Sequence, residues 1–213
     1  MRKLILLMLL ITTITNAQEY KLGEKTITGV FEVKGKTKAE IFSLINKWVS
    51  VNYKSAKNVL QMNDLESGTI IIKGINETVY KNLLKEMWPR AKYLKKYSKI
   101  EFNHLIEINI KDNRFRIIFK IIDIATEDDG WLNKNLMFKC INFNGINDTN
   151  INEYIEYMEG RMKKWLINKK KRKNVASSTK PMFEELSNSL INYIKFYMQS
   201  IEKSITTSKK SDW

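Results

Sequence analysis

The stretch EFNHLIEINIKDNRFRIIFKIID, residues 101–123, decides how this chain folds. Asp112-Asn113 divides two runs rich in Ile and Phe, and both residues tolerate the positive φ of a two-residue hairpin turn. With the turn placed there, Ile110 faces Phe115, Ile108 faces Ile117, Ile106 faces Phe119 and His104 faces Ile121, all on one side. The other side carries Lys111 with Arg114, Asn109 with Arg116, Glu107 with Ile118 and Leu105 with Lys120. One register sorts both strands into an apolar and a mostly polar face, and a slip of one residue would undo the sorting. The reading is therefore an antiparallel hairpin with one buried face.

Working outward, Thr26–Val33 alternates as a strand and Gly35 ends it. Thr37-Lys38-Ala39-Glu40 then has capping-box spacing, in which two side chains satisfy free N–H groups at a helix start. Ile41, Leu44, Ile45, Trp48 and Val49 recur as one stripe over about four helical turns. Val59, Leu60 and Met62 read as a strand and Thr69–Lys73 as the next, joined by a polar loop ending in Gly68. Between this hairpin and the first, Glu77–Lys99 reads as a short helix through Val79, Leu83, Leu84, Met87 and Trp88. It stops before Pro89 and is followed by a basic loop with Tyr93, Lys95, Lys96 and Tyr97.

In its order of strand, Trp-bearing helix and hairpins, the segment 27–125 resembles a bacterial family of secreted domains of unknown function with a TATA-binding-protein-like fold. The resemblance is carried by Gly35–Glu40, Trp48, the Gly68-x-Ile70 strand start and the turn Lys111-Asp112-Asn113-Arg114-Phe115-Arg116. Asn113 stands where the family has Gly, and Phe115 where it has Tyr; Glu77–Lys99 reads as an expansion. The resemblance implies an exported α+β domain, an antiparallel sheet with a packed helix, and no particular activity. A fold label does not bring DNA binding with it.

The second half reads as helical. A short apolar piece, Leu136–Phe143, precedes a helix from Ile151 with the stripe Tyr154, Ile155, Met158, Met162, Trp165 and Leu166. Lys169, Lys170, Lys171, Arg172 and Lys173 are placed at its C-terminal end, where cations suit the helix dipole. Asn174–Lys180 reads as a polar linker, and Pro181 as the first residue of a last helix through Phe183, Leu186, Leu190, Ile194 and Ile201. The chain thus divides into a signal peptide (1–17), an α+β domain (18–126) and a helical C-terminal region of two amphipathic helices (127–213). Those helices are expected to pack on the sheet, on each other or on a second copy, or to lie on a membrane with the basic run against anionic lipid.

The 213-residue chain carries a formal charge of +14, with 31 Lys and only 6 Arg. Lys has A/T-rich codons, as do the frequent Ile and Asn, whereas recognition of bases and phosphates favours Arg. The charge is read mainly as compositional drift, and no nucleic-acid partner is expected. Arg2 and Lys3, the apolar Leu4–Ile11 and Thr15-Asn16-Ala17 have the order of a secretory signal peptide cleaved near Ala17. Its apolar run is too short for a membrane span, and no other stretch reaches that length. The expected location is extracytoplasmic.

One Cys and one His remove multi-Cys and His-pair metal sites, so no metal and no cofactor are expected. Cys140 reads as a buried small hydrophobe, and His104 as a satisfied, partly buried core residue without a nearby acid or thiol. The turn Glu127-Asp128-Asp129-Gly130 lacks the spaced ligands of a calcium loop. No catalytic residue is assigned. The first reading is a non-catalytic binding or structural module of the cell envelope, with an envelope protein or anionic envelope polymer as partner. The second is binding of an anionic polymer or lipid headgroup through basic patches: Lys111, Arg114, Arg116 and Lys120 on the hairpin, the stretch Tyr93–Lys99, or the basic run 169–173 within Lys163–Lys173. A hydrolase using carboxylates alone is the third.

Overall fold

The computed structural model describes residues 19–126, 132–163 and 168–208. The expected signal peptide, the acidic turn 127–130 and the positions of Trp165 and Leu166 lie outside the described residues. Six strands form one antiparallel sheet: β1 (Tyr20–Leu22), β2 (Thr26–Glu32), β3 (Leu60–Asp64), β4 (Thr69–Lys81), β5 (Tyr97–Lys111) and β6 (Arg114–Thr126). Their order across the sheet is β1-β2-β6-β5-β4-β3. The helices are α1 (Lys38–Asn52), α2 (Ala56–Val59), α3 (Leu83–Met87), α4 (Lys134–Cys140), α5 (Asp148–Lys163) and α6 (Lys169–Thr206).

The β5–β6 hairpin has the expected register in all eight pairs from Lys111–Arg114 to His104–Ile121. Asn113 turns the chain with φ 63°, and a bulge follows between Asn103 and His104. Ile106, Ile108, Ile117 and Phe119 are buried completely on the inner face. The capping box forms as expected, Thr37 Oγ1 accepting from Glu40 N and the Glu40 carboxylate from Thr37 N.

Two stretches that carry the family resemblance prove to be in contact. Asn113 Oδ1 accepts from Gly35 N at 2.7 Å, and Asp112 Oδ1 from Lys38 N at 2.7 Å. Asn113 N donates to Lys36 O and Val33 N to Asn113 O. The hairpin turn therefore holds the entry to α1, and the Asp112 carboxylate faces the positive end of that helix. Gly68 has its own reason. At φ +69° its place for a Cβ lies 2.5 Å from Ile110 O, while Ile110 N donates to Gly68 O at 2.8 Å.

Several boundaries differ from the sequence reading. β1 is an additional strand, three residues long and too short to show alternation. Val59 belongs to the helical turn α2, and β3 begins at Leu60. β4 continues to Lys81, so Val79 lies on a strand and not in a helix; only Leu83–Met87 is helical. The segment Glu77–Lys99 forms the far end of the β4–β5 hairpin with α3 at its tip, and Tyr97 is already in β5.

The largest correction concerns α6. Asn174–Lys180 is not a linker, and Pro181 does not open a helix: one helix runs from Lys169 to Thr206 with Pro181 inside it. Lys169–Lys173 accordingly begins α6 instead of ending α5. Val175 and Thr179 extend the buried stripe of Met182, Phe183, Leu186 and Leu190 backwards, and Thr179 Oγ1 donates to Val175 O. An interior proline costs about 3 kcal/mol. Burial of Val175 and of the Thr179 methyl group upstream of the proline works against that cost. Pro181 itself faces solvent.

α1 and α6 cover the inner face of the sheet, and the apolar side chains of α4, α5 and α6 join those of the sheet in one core. Among the described residues no helix lies on the outer face: Val30, Ile75 and Ile122 there are 49%, 64% and 41% exposed.

Candidate functional site

The outer face is built by alternation. In each strand the residues between the buried Ile and Phe positions project away from the core. Cross-strand pairing aligns Glu32, Arg114 and Lys111 in one row and Val30, Arg116, Asn109 and Thr69 in the next. Across these two rows lies a cleft of about 300 Å³, lined by Lys111, Arg114, Arg116, Asn109, Ser67 and Thr69 with apolar Val30 and Phe115. Among the described residues no carboxylate lines it.

Arg116 is oriented by its neighbours. Its Nε and Nη2 donate to Asn109 Oδ1 at 3.1 and 2.7 Å, and Asn109 Nδ2 donates to Glu107 Oε1 at 3.0 Å. The other edge of the guanidinium is left for a ligand. Lys111 and Arg114 have no side-chain hydrogen bond or ion pair among the described residues. Two guanidinium groups and an ammonium beside two hydroxyls suit a phosphate, sulfate or carboxylate, which Arg receives through paired N–H donors.

The structure thus brings together three of the four hairpin residues singled out by sequence. Lys120 does not line the cleft; it pairs with Thr26 and Leu105, four residues along β6 from Arg116. Ser67 and Thr69 were not among the expected site residues, because only the β4–β5 register carries them to the hairpin. The basic run is separate. None of its residues lines this cleft, Asn168 Oδ1 caps it by accepting from Lys171 N, and Lys171 Nζ stands 5.4 Å over the Trp88 ring. At a helix start its charges repel the dipole instead of complementing it.

His104 is fully buried, not partly, and only half satisfied: Nε2 meets Tyr53 Oη at 3.4 Å, while Nδ1 has no hydrogen-bond partner among the described residues. It stacks on Phe119 at 4.8 Å. Burial pushes its imidazole down to about 4, against a smaller opposing contribution from the Phe102 backbone. Cys140 is buried as expected; its Sγ donates to Asn150 O, and burial raises the thiol to about 12. A neutral, enclosed imidazole and a protonated thiol are both poorly suited to general base or nucleophilic work.

No curated protein is significantly similar to the chain in sequence. Among solved structures, a DUF4468 family protein from Bacteroides ovatus ATCC 8483 is 19% identical with a TM-score of 0.40, over 54% of this chain and 63% of that one. The chain therefore spans less than two thirds of that protein's length. A TBP-like protein from Parabacteroides distasonis ATCC 8503 is 14% identical with a TM-score of 0.42, over 86% of this chain and 94% of the other. The family described as domain of unknown function (DUF4468) with TBP-like fold matches residues 28–124, from β2 through α1 and the hairpins into β6. That segment of the chain is accordingly similar to the DUF4468 domain and shares its TBP-like fold.

Proposed function

We propose that this protein is a non-catalytic binding module of the bacterial cell envelope, which holds an anionic group on the uncovered face of its sheet. The observation that carries the reading is the convergence of Lys111, Arg114 and Arg116 with Ser67 and Thr69 in a cleft without a carboxylate. The buried state of the only histidine and the only cysteine supports a non-catalytic role. The signal-peptide pattern of residues 1–17 supports export, and among the described residues no helix is long and apolar enough to cross a membrane.

The shared chemistry is a phosphate or similar oxyanion, from a polymer or from a lipid headgroup. Binding of fluorescent inorganic polyphosphate and of phosphatidylglycerol vesicles, each titrated over a range of NaCl, separates the two sources. The double variant Arg114→Ala, Arg116→Ala should bind its preferred probe about tenfold more weakly, with a salt slope lower by about two. Unchanged affinity in that variant, or a loss seen only when residues 169–173 are neutralised, refutes the proposal.

A further inference from the structure

The inner face of the sheet changes character along β4. Ile70 and Ile72 are completely buried, but Gly74, Asn76 and Thr78 follow on the same side before Tyr80 restores the pattern. His104, paired across from Gly74, carries the polar step into β5. A local break of this kind in an otherwise consistent core is expected at functional or strained sites.

Next to the break a cleft of about 470 Å³ opens between the end of α1, the edge of β4 and the outer half of α6. Its size is within the range of small-molecule sites. Tyr53, Tyr193, Phe196 and Tyr197 supply aromatic walls, and Asn52 and Asn76 supply amides. The walls are fixed: Tyr53 and Tyr197 are hydrogen-bonded through their hydroxyls, Tyr197 meets Trp48 edge-on at 5.0 Å, and Tyr193 and Tyr197 stack at 6.3 Å. β3 pairs with β4 only as far as Ile72, so the strand beside the cleft is not covered by a neighbour there.

Three features point to a ligand. Asn76 Nδ2 is buried with no partner among the described residues. The Tyr193 hydroxyl and the Lys54 ammonium, both lining the cleft, have no hydrogen bond among the described residues. Phe196 borders the cleft yet is 72% exposed, the largest apolar side chain that α6 leaves in water.

The lining selects the class of ligand. A wholly apolar molecule would seal Asn76 and the Tyr193 hydroxyl away from water without partners, which is unfavourable. A cation such as a quaternary ammonium would meet Lys54 and no carboxylate. An anion would find a single lysine among aromatic walls, far fewer donors than the outer cleft offers. What fits is a neutral molecule with apolar flat faces and hydroxyls or an amide at its rim. We propose that this cleft binds a neutral sugar ring, its C–H face against Phe196 and Tyr193 and its polar edge toward Asn52 and Asn76. The site is independent of the anion cleft on the opposite face.

Saturation-transfer NMR on the full chain, with methyl β-glucopyranoside and diacetylchitobiose at about 10 mM, tests it at the weak affinity of a single-ring site. Transfer to the ring C–H protons is expected for at least one of them. Phe196→Ala, at an exposed position that does not hold the core, should weaken binding about fivefold without shifting the unfolding midpoint. Asn76→Ala should do likewise, while Arg114→Ala, Arg116→Ala leaves sugar binding intact. Absence of transfer to both sugars overturns the proposal, as does undiminished binding by the Phe196 variant. A wild-type dimer that Phe196→Ala dissociates also overturns it, because the exposed ring would then serve a second copy.

Discussion

Replacing His104 by Gln should change how the stability of this protein depends on pH. The imidazole lies between Phe102, Phe119 and Tyr197, with Tyr53 at its Nε2. The titratable groups around it are the phenols of Tyr53 and Tyr197, both raised by burial and neutral throughout the acidic range. In the folded chain the imidazole is pushed from its ordinary 6.5 to about 4. The unfolded chain therefore takes up a proton between pH 6.5 and 4 that the folded chain refuses. The contribution is fully present above pH 6.5, is lost as pH falls toward 4, and falls no further below that. Its size, set by that displacement at 1.36 kcal/mol per pH unit, is about 3 kcal/mol. Urea denaturation at intervals from pH 7.5 to 4.5 reads it directly. Wild type should lose stability steeply across this window. His104→Gln should start lower at pH 7.5, by about 1–2 kcal/mol for imperfect packing, and decline less. Parallel curves for the two proteins would refute the reasoning, since carboxylates common to both would then account for the whole slope.

Gly74→Ala should destabilise the fold. A Cβ there would stand 2.9 Å from His104 Cε1 and Nε2 and 3.2 Å from Tyr53 Cε1. Overpacking of about 1–3 kcal/mol, less about 0.5–1 kcal/mol for replacing a strand glycine, leaves a net loss near 1–2 kcal/mol, or several degrees in Tm by differential scanning calorimetry. A Tm equal to wild type would show that the imidazole can move aside. Asp112→Ala removes the acceptor of Lys38 N and a negative charge from the start of α1. Chemical denaturation should show a loss of about 1 kcal/mol, and no change would mean that water replaces the carboxylate freely.

How much of this was legible depended on whether a feature is local. The β5–β6 register follows from alternation and from one turn whose residues tolerate positive φ, so it could be read pair by pair down to His104–Ile121. The capping box at Thr37 and Glu40 is likewise closed within four residues. The basic half of the anion cleft was legible because Lys111, Arg114 and Arg116 flank that turn. Ser67 and Thr69 were not, since a different hairpin brings them in. The error at α6 has the same origin. Lysines, Ser-Ser-Thr and a proline look locally like a linker, and only the packing of Val175 and Thr179 against the core makes them helix. The aromatic cleft joins the end of α1 and β4 to residues of α6 more than a hundred positions away, and no spacing rule links them.

By itself the sequence determined the sheet-and-helix unit, its buried and open faces, the helical second half and the signal-peptide pattern at its start. Each of these is written in short-range periodicity, which the backbone reads within a few residues. The tertiary structure decided what those elements do to one another. It set Asp112 and Asn113 against the entry to α1, joined the linker-like residues into one long helix across the sheet, and enclosed His104 beneath Tyr53 and Tyr197. Burial and long-range contact set the ionisation of a side chain and the shape of a cleft, and both arise only when distant segments close over the same core.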